Sequence, residues 1–168
     1  HALAAAHGES ASVATFERYR NAFPAIYRDR ASAASAIDDI NKINHVIETG
    51  DIAMDLFRTN GDAETSVRFK MFNKGASVPL SDVLPMLENM GLRVIDEVPH
   101  HLMPNESDET VWLHDFGLVM RSGAAVDIDK VKTLFEDAFH HVWNNEMEDD
   151  GFNKLVLGAG LEWRQVVV

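Results

Sequence analysis

The chain has 168 residues, 46% of them hydrophobic, which suits one domain with extensions and a sizeable core. Its 27 acidic residues against 15 basic ones give a formal net charge of −12, which argues against non-specific binding to nucleic acid or to an anionic membrane. It has no cysteine, so a disulfide framework, a thiolate nucleophile and a thiolate zinc site are excluded. The alanine-rich start, HALAAAHGES, lacks a basic region and turns polar too soon for a signal peptide. No apolar run approaches the length of a membrane span. These features point to an acidic cytoplasmic protein. The sequence does not begin with Met and reads as a piece excised from something larger.

Residues 1–31 read as a helical linker or arm: ALAAAH, then VATFERYRNAF, then AIYRDR behind Pro24, whose missing N–H is no loss in a first turn. Ser32 or Ser35 is placed to cap a helix over 33–48. Ile37, Ile40, Ile43 or Asn44, and Ile47 fall on one face of it, and Gly50 ends it. DIAMDLFR and SVRFKMFN alternate as strands do, and Asn60-Gly61 lies between them, so 52–59 and 65–73 read as a hairpin.

The segment VPLSDVLPMLENMGLRVIDEV comes next (78–98). Ser81 is placed to cap a helix over 79–90, with Asp82 in its first turn. Pro85 then falls near the fourth helical position, where an N–H has no intrahelical acceptor. Val83, Leu84, Leu87 and Met90 form the apolar face, and Gly91 suits the left-handed closing position. A strand over 92–98, a polar connection PHHLMPNESDE and a strand over 110–120 with Gly117 as a bulge succeed it. From Asp127 as N-cap, Ile128, Val131, Leu134, Phe135, Ala138, Phe139, Val142 and Trp143 mark a strongly amphipathic helix to about 146. EMEDD breaks it, and GFNKLVLGAGLEWRQVVV reads as helical, its Gln-Val-Val-Val end a cut through an element that continues.

The stretch 65–146 is thus β-α-β-β-α, five of the six elements of a ferredoxin-like sandwich, and strand 52–59 can take the place of the sixth. The expectation is an α+β fold. It has a four-stranded antiparallel sheet in permuted order, helices 79–90 and 127–146 on one face, and flanking helices. The expected division is an arm (1–31), this domain (32–147) and the start of a following helical module (148–168).

Chemistry-bearing motifs are few. His100-His101, His114-Asp115 and His140-His141 offer metal ligands together with Glu146 or Asp115, and Asp137 is the nearest helical candidate. Neighbouring histidines on one strand or helix point apart, however, and surface or core histidines are the competing reading. Asp96-Glu97 and the cluster Glu146, Glu148, Asp149, Asp150 read as acid/base pairs or as solvated ends. No nucleophile elbow, Walker loop or dinucleotide fingerprint is present, and Gly158-Ala159-Gly160 alone makes no nucleotide loop. No catalytic, cofactor or metal residue is assigned. The best ligand-site candidate is the strand-to-helix loop FNKGASVPLSD. A helix N-terminus there favours a carboxylate, Gly75 permits close backbone approach, and Asn73, Ser77 and Asp82 offer polar groups. An ordinary capped turn is the alternative.

PLSDVLPMLENMGLRVIDE, VWLHDFGL, FEDAFHHVWNNEMEDDGFNKLVLGAGLEWR and the earlier RYRNAFPAIYRDRASAASAIDDI resemble segments of the large bacterial NAD-specific glutamate dehydrogenases, in the same order along the chain. The resemblance covers nearly the whole chain. It implies the last (third) of several ACT-like domains upstream of the catalytic domain, followed by a helical module. The family's enzyme oxidises L-glutamate to 2-oxoglutarate and ammonia with NAD. Its catalytic lysines and nucleotide-binding fold have no counterpart here, so the chain is expected to be a non-catalytic regulatory or assembly segment with no cofactor of its own. ACT domains pair edge to edge and bind amino acids near the first strand–helix loop, which by position is Asn73 to Asp82. The implied partners are other domains of the same polypeptide, a second copy of the chain and an amino-acid effector, with neither nucleic acid nor membrane. The alternative is a free-standing protein that binds a metal or small ligand.

Overall fold

The computed structural model describes Tyr19, residues 33–104 and residues 109–167. In chain order the elements are α1 (Ala33–Thr49), β1 (Ala53–Phe57), β2 (Ser66–Lys74), α2 (Leu80–Asn89), β3 (Leu92–Leu102), β4 (Val111–Met120) and α3 (Ile128–Trp143). A 3-10 turn (Gly151–Asn153), α4 (Lys154–Ala159) and α5 (Trp163–Val166) complete the order. The expected arm over 1–31 and the cap at Ser32 lie outside the described residues, except for Tyr19.

The strands form one sheet in the order β1-β2-β4-β3. The Met120 N–H donates to the Thr65 carbonyl at 3.1 Å, and the Gly75 N–H to the Thr110 carbonyl at 2.9 Å. The end of each central strand therefore meets the start of the other, and the two run antiparallel. The order is that of a ferredoxin-like sandwich in which the strand preceding the motif fills the place of the one expected after it. The permuted α+β architecture expected from the sequence is the one that forms.

The contacts divide the chain into two units, which share the strands. In the first (His1–Ala53, Met71–Ser77, Pro99–Leu113), Ile40, Ile43 and Val46 of α1 pack with Tyr19, Phe72, Leu102, Val111 and Leu113. Of the two residues that could share the α1 stripe at 43–44, Ile43 enters the core, while Asn44 accepts the Tyr19 hydroxyl. In the second unit (Met54–Lys70, Val78–Val98, His114–Val168), Phe69 of β2 stacks on Phe116 of β4 at 6.2 Å. Phe135 and Phe139 of α3 meet Phe69 edge-on at 5.4 and 4.9 Å. Aromatic clusters of this kind combine a large buried area with favourable ring geometry. The same unit holds α2, which buries Val83, Met86 and Leu87.

Four local expectations need correction. Pro79, not Ser81, is the N-cap of α2, and it offers no side-chain bond. Counting from Leu80, Pro85 is then the sixth helical residue, beyond the turn that tolerates proline freely. Its missing N–H would have paired with the Ser81 carbonyl. Both residues are exposed, so water can take that carbonyl, and the loss is borne at the surface. Next, β3 does not stop at Val98 but continues through Pro99, His100 and His101 to Leu102. Proline is tolerated there because β3 is an edge strand. The helix from Asp127 ends at Trp143, three residues before the expected end at 146. The helix expected over 151–168 is broken: Gly160 takes the left-handed conformation (φ 65°) and separates α4 from α5.

Candidate functional site

The loop between β2 and α2 holds the expected ligand residues, and they fall into both units. In the first, the Asn73 amide nitrogen donates to the Ala76 carbonyl at 2.7 Å, closing a tight turn around Gly75. Gly75 has φ 88°, a conformation that other side chains rarely adopt. Its N–H is used on the Thr110 carbonyl, and the neighbouring Lys74 pairs with Glu109 at 3.0 Å. Ser77 is exposed. Asn73 Oδ1 is buried and has no hydrogen-bond partner among the described residues. A buried acceptor left unpaired is costly, so this atom is where a donor would be most welcome. In the second unit, Asp82 is exposed in the first turn of α2, with its N–H on the Pro79 carbonyl at 3.0 Å.

The sheet edges are the other feature with functional content. On β1, both backbone groups of Leu56 are taken by side chains of α3. The N–H donates to Glu136 Oε2 at 3.1 Å, and the carbonyl accepts from Lys132 Nζ at 2.9 Å. Lys132 also pairs with Asp55, and with Glu136 at 2.9 Å. Burial works to lower the pKa of the Lys132 ammonium. Its hydrogen bonds to Asp55 and Glu136, and the charges of both, outweigh burial and raise it above the ordinary lysine value. Just beyond β1, Arg58 donates to the carbonyls of Ser66, Glu64 and Val126. The Lys132/Glu136 pair was legible as an i,i+4 couple on a helix, but its reach to a strand edge was not.

At the opposite edge, β3 is eleven residues long, and Ile95 on it is 58% exposed. Inward of it, the Asp96 carboxylate accepts the Gly117 N–H at 3.2 Å. A Cβ at Gly117 would lie 2.7 Å from Asp96 Oδ1, so the glycine makes room for that carboxylate. Glu97 reaches the buried His114 Nδ1 at 2.8 Å.

The histidines are placed individually. His100 and His114 are buried, His101 stacks on Trp112 at 4.6 Å, and His141 stacks on Trp163 at 3.8 Å. Among the described residues, no three His, Asp or Glu side chains come together to hold a metal ion. No helix among them is long and apolar enough to cross a membrane.

A four-stranded antiparallel sheet in this permuted order, with its helices, defines an ACT-type domain, and the family model described as the glutamate dehydrogenase ACT3 domain matches residues 51–131. Models of helical motifs 2 and 3 of glutamate dehydrogenase match residues 2–46 and 147–168 on either side. The chain belongs to the glutamate dehydrogenase family, as the piece that carries this third ACT domain between two helical motifs. It is 39% identical over 161 residues to an NAD-specific glutamate dehydrogenase of Halomonas elongata and 34% identical over 161 residues to one of Pseudomonas aeruginosa. To one of Mycobacterium tuberculosis it is 30% identical over 170 residues. These matches cover 96%, 96% and 98% of this chain but only 10% of each relative, so the chain spans about a tenth of their length.

Proposed function

We propose that this chain is a non-catalytic assembly segment of an NAD-dependent glutamate dehydrogenase. The whole enzyme would convert L-glutamate and NAD to 2-oxoglutarate, ammonia and NADH in the cytoplasm, with NAD held outside this segment. The proposed division is an arm (1–31), the ACT-like domain (32–147) and the start of a helical module (148–168). Helix α1 is counted with the domain, although the helical-motif match reaches residue 46, because its Ile40, Ile43 and Val46 share a core with strand residues.

The observation that carries the assembly reading is the asymmetry of the sheet edges. An exposed edge strand is a template for pairing, and proteins usually blunt it. Here β1 is blunted by Lys132 and Glu136, whereas β3 presents a long strand with an exposed isoleucine. The β3 edge is the proposed surface for a second copy of the chain, and other domains of the same polypeptide are the further partners. Sedimentation velocity tests this. The wild-type chain is expected to self-associate, and Ile95→Lys, which puts a charge on the edge, to shift it towards monomer. A wild-type chain that stays monomeric at high concentration sinks the reading.

An amino-acid effector is the second reading, favoured by the unpaired Asn73 Oδ1 beside Gly75. An ammonium donor would satisfy that atom. Calorimetry against a panel of amino acids decides: binding that Gly75→Val abolishes supports a sensor, and silence across the panel removes it.

A further inference from the structure

The chain contains a single Asn-Gly pair, Asn60-Gly61, and it lies between β1 and β2. The Asp62 N–H donates to the Thr59 carbonyl at 3.0 Å, so Thr59–Asp62 is a tight turn with Asn60 and Gly61 at its centre. Gly61 has φ 95°, whereas Asn60 keeps an ordinary negative φ, the pattern of a type II turn. The Asp62 carboxylate closes the same turn by accepting the Thr59 N–H at 3.2 Å. Both central residues are exposed. Among the described residues, no hydrogen bond or ion pair holds the Asn60 side chain or the Gly61 N–H. A Cβ placed on Gly61 would meet nothing within 4 Å.

These are the conditions under which a backbone nitrogen attacks the side-chain amide before it. The Gly61 nitrogen loses its proton and bonds to Asn60 Cγ. The Cγ–Nδ2 bond breaks, and ammonia leaves with that proton, which closes a cyclic imide. Water then opens the ring. Attack at Cγ gives aspartate, and attack at the Asn60 main-chain carbonyl gives isoaspartate, whose main chain runs through the side-chain carbon. Water enters, ammonia leaves, and no oxidant is needed. Glycine matters here because no Cβ crowds the attacking nitrogen and the peptide can turn without strain. Other asparagines are held. Asn89 donates to Asp149 Oδ1 at 2.8 Å, and the following Met90 N–H is bonded to the Met86 and Leu87 carbonyls at 3.2 Å. Asn153 is buried, and its amide donates to the Glu148 carbonyl at 2.8 Å.

We propose that Asn60 is a modification site, converted spontaneously to aspartate and isoaspartate in the folded chain, and that Arg58 confines the change to the turn. Isoaspartate adds a carbon to the main chain and a charge beside Asp62, so the two Thr59–Asp62 bonds are lost. Arg58 precedes the turn, and two of its partners, the carbonyls of Glu64 and Ser66, follow it. The two arms are therefore tied together behind the modified bond. Arg58 also holds the Val126 carbonyl, the Val126 N–H donates to the Glu64 carbonyl at 2.9 Å, and the Met120 N–H donates to the Thr65 carbonyl at 3.1 Å. None of these bonds involves residues 59–62, so the register of β2 on β4 is kept. The site stands independently of edge pairing and of any effector.

Ageing the whole chain in mildly alkaline buffer tests the site. Peptide mapping follows each asparagine, and an isoaspartyl methyltransferase with labelled S-adenosylmethionine counts the isoaspartate. Conversion at Asn60 is expected to be at least about tenfold faster than at Asn89 or Asn153, and Gly61→Ala is expected to slow it about tenfold. A rate at Asn60 no faster than at the other two, or one that Gly61→Ala leaves unchanged, overturns the site. Amide exchange by NMR on the aged protein tests the confinement. It is expected to speed about tenfold at Thr59 and Asp62 and to stay unchanged at Met120 and Val126. Equal acceleration at Met120 and Val126 overturns the role of Arg58.

Discussion

The two edges of the sheet are treated in opposite ways. At β1, a lysine and a glutamate one helical turn apart on α3 occupy both backbone groups of Leu56, and Asp55 holds the lysine in place. At β3, the strand runs for eleven residues as an edge and exposes Ile95, while its inner acidic residues are turned towards β4. The comparison teaches that edge protection here is selective. One side is closed by side chains that cost conformational freedom to order, and the other is the edge at which we propose that a second copy pairs.

Substitutions can break or sharpen this contrast. The largest effect is expected at Gly117→Ala, which forces Asp96 out of its place and removes its bond to the Gly117 N–H. A loss of about 2 kcal/mol is expected in denaturant unfolding, nearly all of it from the bond lost to the buried Gly117 N–H, since the exposed carboxylate can swing aside. Asp96→Ala removes the same bond and should cost about as much, with little added in the double variant; full additivity would assign the requirement for glycine to the backbone of β4.

Lys132→Met strips the guard from β1. It leaves two carboxylates facing each other and the Leu56 carbonyl without its donor. Because Lys132 is 39% exposed, the cost is expected to be about 1 to 1.5 kcal/mol after allowing for solvent screening. The variant should also gain a tendency to associate through β1, seen as a second boundary in sedimentation. The pH dependence is set by the sign of the shift. The folded-state pKa of Lys132 is raised, so its contribution is complete below the ordinary lysine value and is lost as pH rises through the higher folded value. The stability difference between wild type and Lys132→Met should therefore stay level through neutral pH and shrink only in strong alkali. A difference that already shrinks near neutrality would assign the effect to another group.

Glu136→Gln is milder, since the amide oxygen can still accept the Leu56 N–H; about 0.5 to 1 kcal/mol is expected by thermal unfolding. Ile95→Lys is smallest in stability, within about 0.5 kcal/mol, because the side chain is exposed. Its effect is expected in association alone, which separates the β3 edge from the fold.

Most of the fold was legible in the sequence for physical reasons that the structure bears out. The stripe of α3 and the alternation of β2 obey the two backbone periods, and the resulting element order restricts the sheet to few arrangements. The illegible parts depended on neighbours. The extension of β3 through Pro99 becomes acceptable only once the strand is known to be at an edge, and Pro85 sits two positions deeper in its helix because Pro79 rather than Ser81 begins it. The loop of Asn73, Gly75, Ser77 and Asp82 was found from turn chemistry, but the burial of Asn73 Oδ1 depends on tertiary packing that no local pattern carries. The Lys132/Glu136 guard and the His141–Trp163 contact join residues far apart in sequence or across a glycine break.

The central claim is that copies of this chain meet through β3 and not through β1. The absence of native cysteine allows one spin label per chain, at Ile95→Cys on β3 or at Thr59→Cys just beyond β1. Pulsed dipolar spectroscopy on the associated protein should give a short distance from position 95, within about 20 Å, since paired strands lie only about 4.8 Å apart. From position 59 it should give a long one, on the order of 34 Å, because about seven strand spacings would separate the outer edges. A short distance at 59 with a long one at 95, or no dipolar coupling at either site, would contradict the account.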